Sequence, residues 1–192
     1  FGKSNSIYAT GFTGEKTTKT KTYSFFKQTL FQVAKFLGDE LSECRAHGNL
    51  GSAFYCKGKF KEAIASYRCQ LVLAMKGKHN SHAAAALTAL GHVYQSIGDH
   101  QNALASHKQC IQIVKQSGDQ LAEAREIGNC GTVYMSSGNF EKAIECHLEH
   151  VKLAKLMRNK VEEARAYSNL ASAHHANRKY EQAMQFYEHV LR

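Results

Sequence analysis

The stretches Asn49-Leu50-Gly51, Ala89-Leu90-Gly91, Asn129-Cys130-Gly131 and Asn169-Leu170-Ala171 stand 40 residues apart. Three residues beyond each small residue comes Phe54, Tyr94, Tyr134 or His174. Twelve beyond comes Ala63, Ala103, Ala143 or Ala183, and sixteen beyond comes Tyr67, His107, His147 or Tyr187. A fixed period of this length, with small and aromatic residues at fixed offsets, marks a solenoid built from one repeated unit. Arrays of this kind work by offering a long surface to a partner.

Turn signals recur at half the period. Gly38-Asp39, Gly58-Lys59, Gly98-Asp99, Gly118-Asp119 and Gly138-Asn139 each suit a helix end followed by a helix start, and Arg158-Asn159 and Arg178-Lys179 are weaker copies. Glycine takes the left-handed conformation after a last turn, and Asp or Asn caps the next helix. The pattern predicts helices near 40–57, 60–76, 80–97, 100–116, 120–137, 140–156, 160–177 and 180–192. Proline is absent, so no helix is interrupted. At 100° per residue, Ala46, His47, Leu50, Gly51, Ala53 and Phe54 share one side of the first helix. Gly51 and Ala63 let the two helices of a pair approach, with Phe54 and Tyr67 filling the space around them. Ala171 in the glycine slot predicts that one methyl is accepted there, so Gly91→Ala is expected to be mild.

The four repeats are placed at 39–78, 79–118, 119–158 and 159–192. Phe31, Val33 and Ala34 correspond to Leu71, Leu73 and Ala74, so 23–38 reads as a partial second helix of a preceding repeat. Residues 1–22 are polar and without period, which predicts a disordered, dispensable tail. The chain starts with Phe and stops inside a helical pattern, as expected of a piece of a longer protein.

The formal charge is +9, shared between the tail and the repeats. That excess favours acidic partners and says nothing of fold. The six cysteines at 44, 56, 69, 110, 130 and 146 have no paired spacing. Cys130 stands where Leu50, Leu90 and Leu170 stand, so it reads as a small buried hydrophobe. All six are expected to be free thiols in a reducing, cytoplasmic compartment. No apolar run reaches the length of a membrane span.

The order Leu-Gly-x-x-Tyr, then Gly-(Asp/Asn)-(aromatic)-x-x-Ala-(Ile/Leu)-x-x-(Tyr/His), resembles the tetratricopeptide repeat (TPR). Leu90-Gly91, Tyr94, Gly98-Asp99 and Ala103-Leu104 form one good copy, and Gly131, Tyr134, Gly138-Asn139-Phe140 and Ala143-Ile144 another. The resemblance covers residues 39–192. It implies an all-α, right-handed TPR superhelical solenoid of antiparallel helix pairs. The period is longer than the usual TPR, with Met75, Lys115 and Lys155 where a Pro would fall. The longer form resembles the repeats of the LGN/Pins family of spindle-orientation adaptors and, more closely, those of the tetratricopeptide repeat protein 28 family. Cys44-Arg45-Ala46-His47-Gly48-Asn49-Leu50-Gly51 and Glu163-Ala164-Arg165-Ala166-Tyr167-Ser168-Asn169-Leu170 carry that likeness.

On the opposite face of the first helices, Arg45 and Asn49, Arg125 and Asn129, and Arg165 and Asn169 are pairs four residues apart. Arg offers a planar fork to a carboxylate, and Asn a donor and an acceptor to an extended backbone. The resemblance implies that these six residues line a concave groove and grip an extended acidic peptide of another protein, in a spindle or midbody setting. Ala85 and Ala89 leave a gap in the second repeat. Alternatively each Arg pairs with nearby Glu43, Glu123 or Glu163, and each Asn ties neighbouring helices. The competing functions are an architectural or self-associating solenoid, and nucleic-acid binding through the basic surface. The weak charge bias of the repeats does not call for nucleic acid.

Cys146, His147 and His150 lie within about one helical turn, yet a structural zinc site takes four ligands, and no second pair has the spacing. His107 and His147 occupy the Tyr67 slot, so packing accounts for them. No phosphate loop or nucleophile elbow is present. The chain is expected to be no enzyme and to carry no cofactor or metal.

Overall fold

The computed structural model describes residues 39–191. The readings of 1–22 and 23–38 fall outside the described residues. Eight helices follow one another: α1 (Glu40–Cys56), α2 (Phe60–Lys76), α3 (Asn80–Ser96), α4 (His100–Ser117), α5 (Gln120–Ser136), α6 (Phe140–Leu156), α7 (Lys160–Ala176) and α8 (Tyr180–Leu191). The first seven run within one residue, at each end, of the span that the turn signals predict.

The caps explain why the ends are so regular. Asp39 accepts from the Leu41 and Ser42 amides, Asp99 from Asn102, Asp119 from Ala122, Asn139 from Lys142 and Asn159 from Glu162. Each satisfies an amide that the first turn leaves without a partner. At the opposite ends, Gly58, Gly98, Gly118 and Gly138 take positive φ. Lys78, Arg158 and Arg178 hold the same left-handed conformation without glycine, so the turn is dictated by the stack even where the residue disfavours it.

Each helix packs on the next in sequence, from α1 on α2 through α7 on α8. The first helices of successive repeats also touch: α1 with α3, α3 with α5, and α5 with α7. No second helix touches another second helix among the described residues. The first helices therefore crowd the inner side of a curved stack and the second helices spread along its outer side. This is the geometry of a solenoid, and it makes the exposed flank of α1, α3, α5 and α7 the concave face.

The slots that recur in sequence are the contacts of each pair. Ala63, Tyr67, Leu90, Val93, Tyr94, Ala103 and Val133 form one continuous buried cluster, and Val151, Ala166, Tyr167 and Leu170 form another. A Cβ on Gly51 would stand 2.6 Å from the Tyr67 ring, and one on Gly131 would stand 2.5 Å from the His147 ring. A Cβ on Gly91 would overlap the His107 ring. Ala171 is fully buried, but its partner Tyr187 is 40% exposed where His107 is fully buried. Tyr187 lies on the last described helix, and its hydroxyl still bonds Ser172, next to Ala171, at 3.2 Å. The expectation that Gly91→Ala is mild is opposed by the close approach of the His107 ring.

All six cysteines are thiols. Burial pushes Cys110 up to about 11 and Cys130 up to about 12. Thiolate, not thiol, is the nucleophile. Iodoacetamide should therefore label exposed Cys56 and Cys69 in the native protein and leave Cys44, Cys110 and Cys130 unlabelled until urea is added, read by mass spectrometry. Labelling of native Cys130 as fast as Cys69 would contradict the packing.

Candidate functional site

Arg45, Asn49, Arg125 and Arg165 are exposed and Asn129 and Asn169 partly exposed, all on the inner flank of the first helices. The structure thus gathers the six sequence-predicted residues on one face. It also shows that the three repeats use them differently.

At the last repeat junction, Glu162 of α7 is buried beneath the concave face. Arg125 Nε of α5 donates to its Oε2 at 3.1 Å, Arg165 Nη1 to its Oε1 at 3.4 Å, and His150 Nε2–H of α6 to Oε1 at 3.0 Å. Burial alone would raise this carboxyl. The hydrogen bonds from Arg125 and His150 and the Arg165 charge outweigh that and hold it below the ordinary carboxylate value. Burial keeps His150 neutral by lowering its pKa. Its other ring nitrogen, Nδ1, is buried without a partner, against Gly128. The arginines do have an acid, then, but it is Glu162. Glu123 pairs with Lys115, Glu163 with Lys160, and Glu43 approaches His47. Arg125 and Arg165 keep about half of their side chains in solvent, so donors remain for a ligand.

At the middle junction the carboxylate is Glu126 of α5, also buried. It accepts from Thr88 Oγ1 of α3 at 2.7 Å, from His107 Nδ1–H of α4 at 2.7 Å and from Asn129 Nδ2 at 3.2 Å. His92 of α3 packs with its ring 5.5 Å from that of His107 and is held below its ordinary pKa by burial and by that neighbour. Asn129 is therefore wired, through Glu126, into a polar link across three helices and is not a loose clamp. Neither Glu126 nor Glu162 was singled out from sequence. The signal was there: Glu126 stands in a column otherwise filled by Ala46, Ala86 and Ala166.

At the first junction no such acid is found among the described residues. Arg45, Gly48, Asn49, Tyr67, Gln70, His82 and Ala85 line an open hollow of about 420 Å³. Nearer the turn, Tyr55 bonds Ser96 at 2.9 Å and Gln95 bonds Ser136 at 3.2 Å, tying first helices together along one edge of the face. Among the described residues no group of three or more His, Cys, Asp or Glu side chains could hold a metal ion. His147 and His150 are instead packed beneath Gly131 and Gly128. No helix among the described residues is long and apolar enough to cross a membrane.

A family model described as tetratricopeptide repeat matches residues 42–116, 82–155 and 120–192. No curated protein matches the chain. Among solved structures, BtubC (BKLC) from P. vanneervenii superposes with a TM-score of 0.77 at 17% identity, over 90% of this chain and 72% of that one. A putative kinesin light chain with nearly identical TPR-like repeats, from Podosopora anserina, gives 0.76 at 19% identity, over 91% and 87%. A Rap protein complexed with competence and sporulation factor gives 0.73 at 14% identity, over 94% and 51%. At these identities the likeness is one of fold. The repeat is in general a non-enzymatic scaffold for protein interaction, and with three overlapping family matches across an unbroken stack of helix pairs, the chain belongs to the tetratricopeptide repeat family.

Proposed function

We propose that this chain is a scaffold that binds extended acidic peptide segments of other proteins along its concave face. The observation that carries the reading is the exposed row of Arg45, Arg125 and Arg165, the last two held in place by one buried carboxylate. A tethered guanidinium loses less side-chain freedom on binding, and its remaining donors already face the groove. Extended peptides suit a long groove with repeated polar anchors. The likeness to LGN/Pins and tetratricopeptide repeat protein 28 repeats supports a cytoplasmic, spindle or midbody setting.

Arg125 and Asn129 are poor probes of this reading, because both hold the stack. Ala85 and Thr132 are exposed on the same face, so Ala85→Glu, Thr132→Glu adds negative charge and leaves the arginines in place. The probe is an acetylated, amidated decapeptide of alternating Glu and Ala. The double variant, folded by circular dichroism, should bind it about tenfold or more weakly than the parent, through repulsion of a ligand that relies on charge-assisted bonds. Equal affinity would overturn the groove reading. The alternative is then stacking on α8, which exposes Tyr180, Met184 and Tyr187.

A further inference from the structure

The first repeat junction carries the motif of the last with one part missing. The last junction places Arg125, His150, Glu162 and Arg165 together. One repeat-pair earlier, 80 residues back, the same positions are Arg45, Gln70, His82 and Ala85. Gln70 lies against Gly48 as His150 lies against Gly128, and it is 7% exposed. The cation and the buried hydrogen-bonding side chain are therefore retained. The carboxylate is not: His82 replaces Glu162. The middle junction draws its carboxylate from Glu126, and the first junction has Ala86 at that position. Arg45 has no ion pair among the described residues, and no lining residue of the hollow beside it is acidic.

We infer that the first junction is a receptor for one glutamate side chain of the bound peptide, which supplies to Arg45 and Gln70 the carboxylate that Glu162 supplies to Arg125 and His150. This rests on the groove reading and sharpens it. The acidic ligand is read most strongly at this one place, because at the other two junctions the chain's own acids already take part of the donor set. The absence of a large side chain at Ala85 leaves the room that an incoming glutamate needs. A charge-assisted bond is stronger than a neutral one, and Gln70, itself buried, adds a second partner in fixed position.

The test is a heteronuclear NMR titration with an acetylated, amidated Ser–Ala decapeptide that carries one central Glu, beside the same peptide with Gln. The Glu peptide should shift the Arg45 Nε–H and Gln70 side-chain amide signals first and most. The Gln peptide should bind at least about tenfold more weakly. Arg45→Gln should abolish the difference between the peptides. His82→Glu should fill the hollow from within, raise the melting temperature and abolish the response at Arg45 and Gln70. Equal responses to the two peptides, no response at Arg45 and Gln70, or an undiminished response in His82→Glu would overturn the receptor. The groove reading is judged separately by Thr132→Glu alone against the Glu–Ala decapeptide, because Thr132 is exposed on the same face and does not line the hollow, whereas Ala85 does.

Discussion

Gly91→Leu is expected to lower stability by about 3–5 kcal/mol, and Gly91→Ala by about 1–3 kcal/mol. A side chain at 91 meets the His107 ring, which is fully buried. That ring is held in place, because its Nδ1–H is bonded to buried Glu126 at 2.7 Å. Moving it leaves a carboxylate short of a donor, and a buried charge that loses a partner is costly. The overpacking and the broken bond therefore act together for Leu. Urea melts of the parent and the two variants read the effect. An alanine variant as stable as the parent would mean that His107 leaves its slot freely, and that the Glu126 link adds nothing to the stack.

Acid should weaken the stack well before its exposed carboxylates titrate. His147 is buried beneath Gly131, and burial, aided by His150, lowers its pKa to about 4. The unfolded chain has the ordinary value near 6.5, so between these two pH values the unfolded state binds the extra proton. Stability is full above about pH 6.5 and falls as pH drops toward 4, by about 3 kcal/mol from this residue alone. His150 and His174, both buried and both lowered, act in the same direction. Glu162, whose folded value is lowered, adds a further loss below its unfolded value. Urea melts across pH 4–7.5 measure the slope. His147→Tyr puts the Tyr67 residue type into the same slot and should flatten it. A slope unchanged by that substitution would place the acid sensitivity elsewhere.

These two predictions come from different layers of the chain. The glycine slot was visible in the sequence because it repeats: Gly51, Gly91 and Gly131 stand at one offset, and close helix approach needs a missing side chain there. Ala171 shows what a column leaves out. The column reports which residues occur at the slot, and the structure adds what a side chain there meets: at 91 it is the fully buried His107 ring, which is tied to Glu126.

The candidate site divides in the same way. The period and the 100° turn of a helix place Arg45, Asn49, Arg125, Asn129, Arg165 and Asn169 on one flank, since both are local rules. Which acid each arginine meets is not local. Arg125 and Glu162 are 37 residues apart, and His107 and Glu126 are 19 apart. Those pairs form because α5 stacks against both α4 and α7 on the inner side of the curve. Sequence spacing pointed to Glu123 and Glu163 as neighbours, but their carboxylates pair with Lys115 and Lys160.

By itself the sequence determined the unit, its eight helix spans, their caps and the small-against-aromatic contact within each pair. Those follow from hydrogen bonds and packing between residues less than one repeat apart, and the 40-residue period states them four times. Only the tertiary structure decided which junctions are filled and which is open. Burying a carboxylate is tolerable only where donors from several helices converge on it. That convergence exists for Glu126 and Glu162, and Arg45 and Gln70 are left at the first junction with the donors and, among the described residues, no acid in the hollow they line.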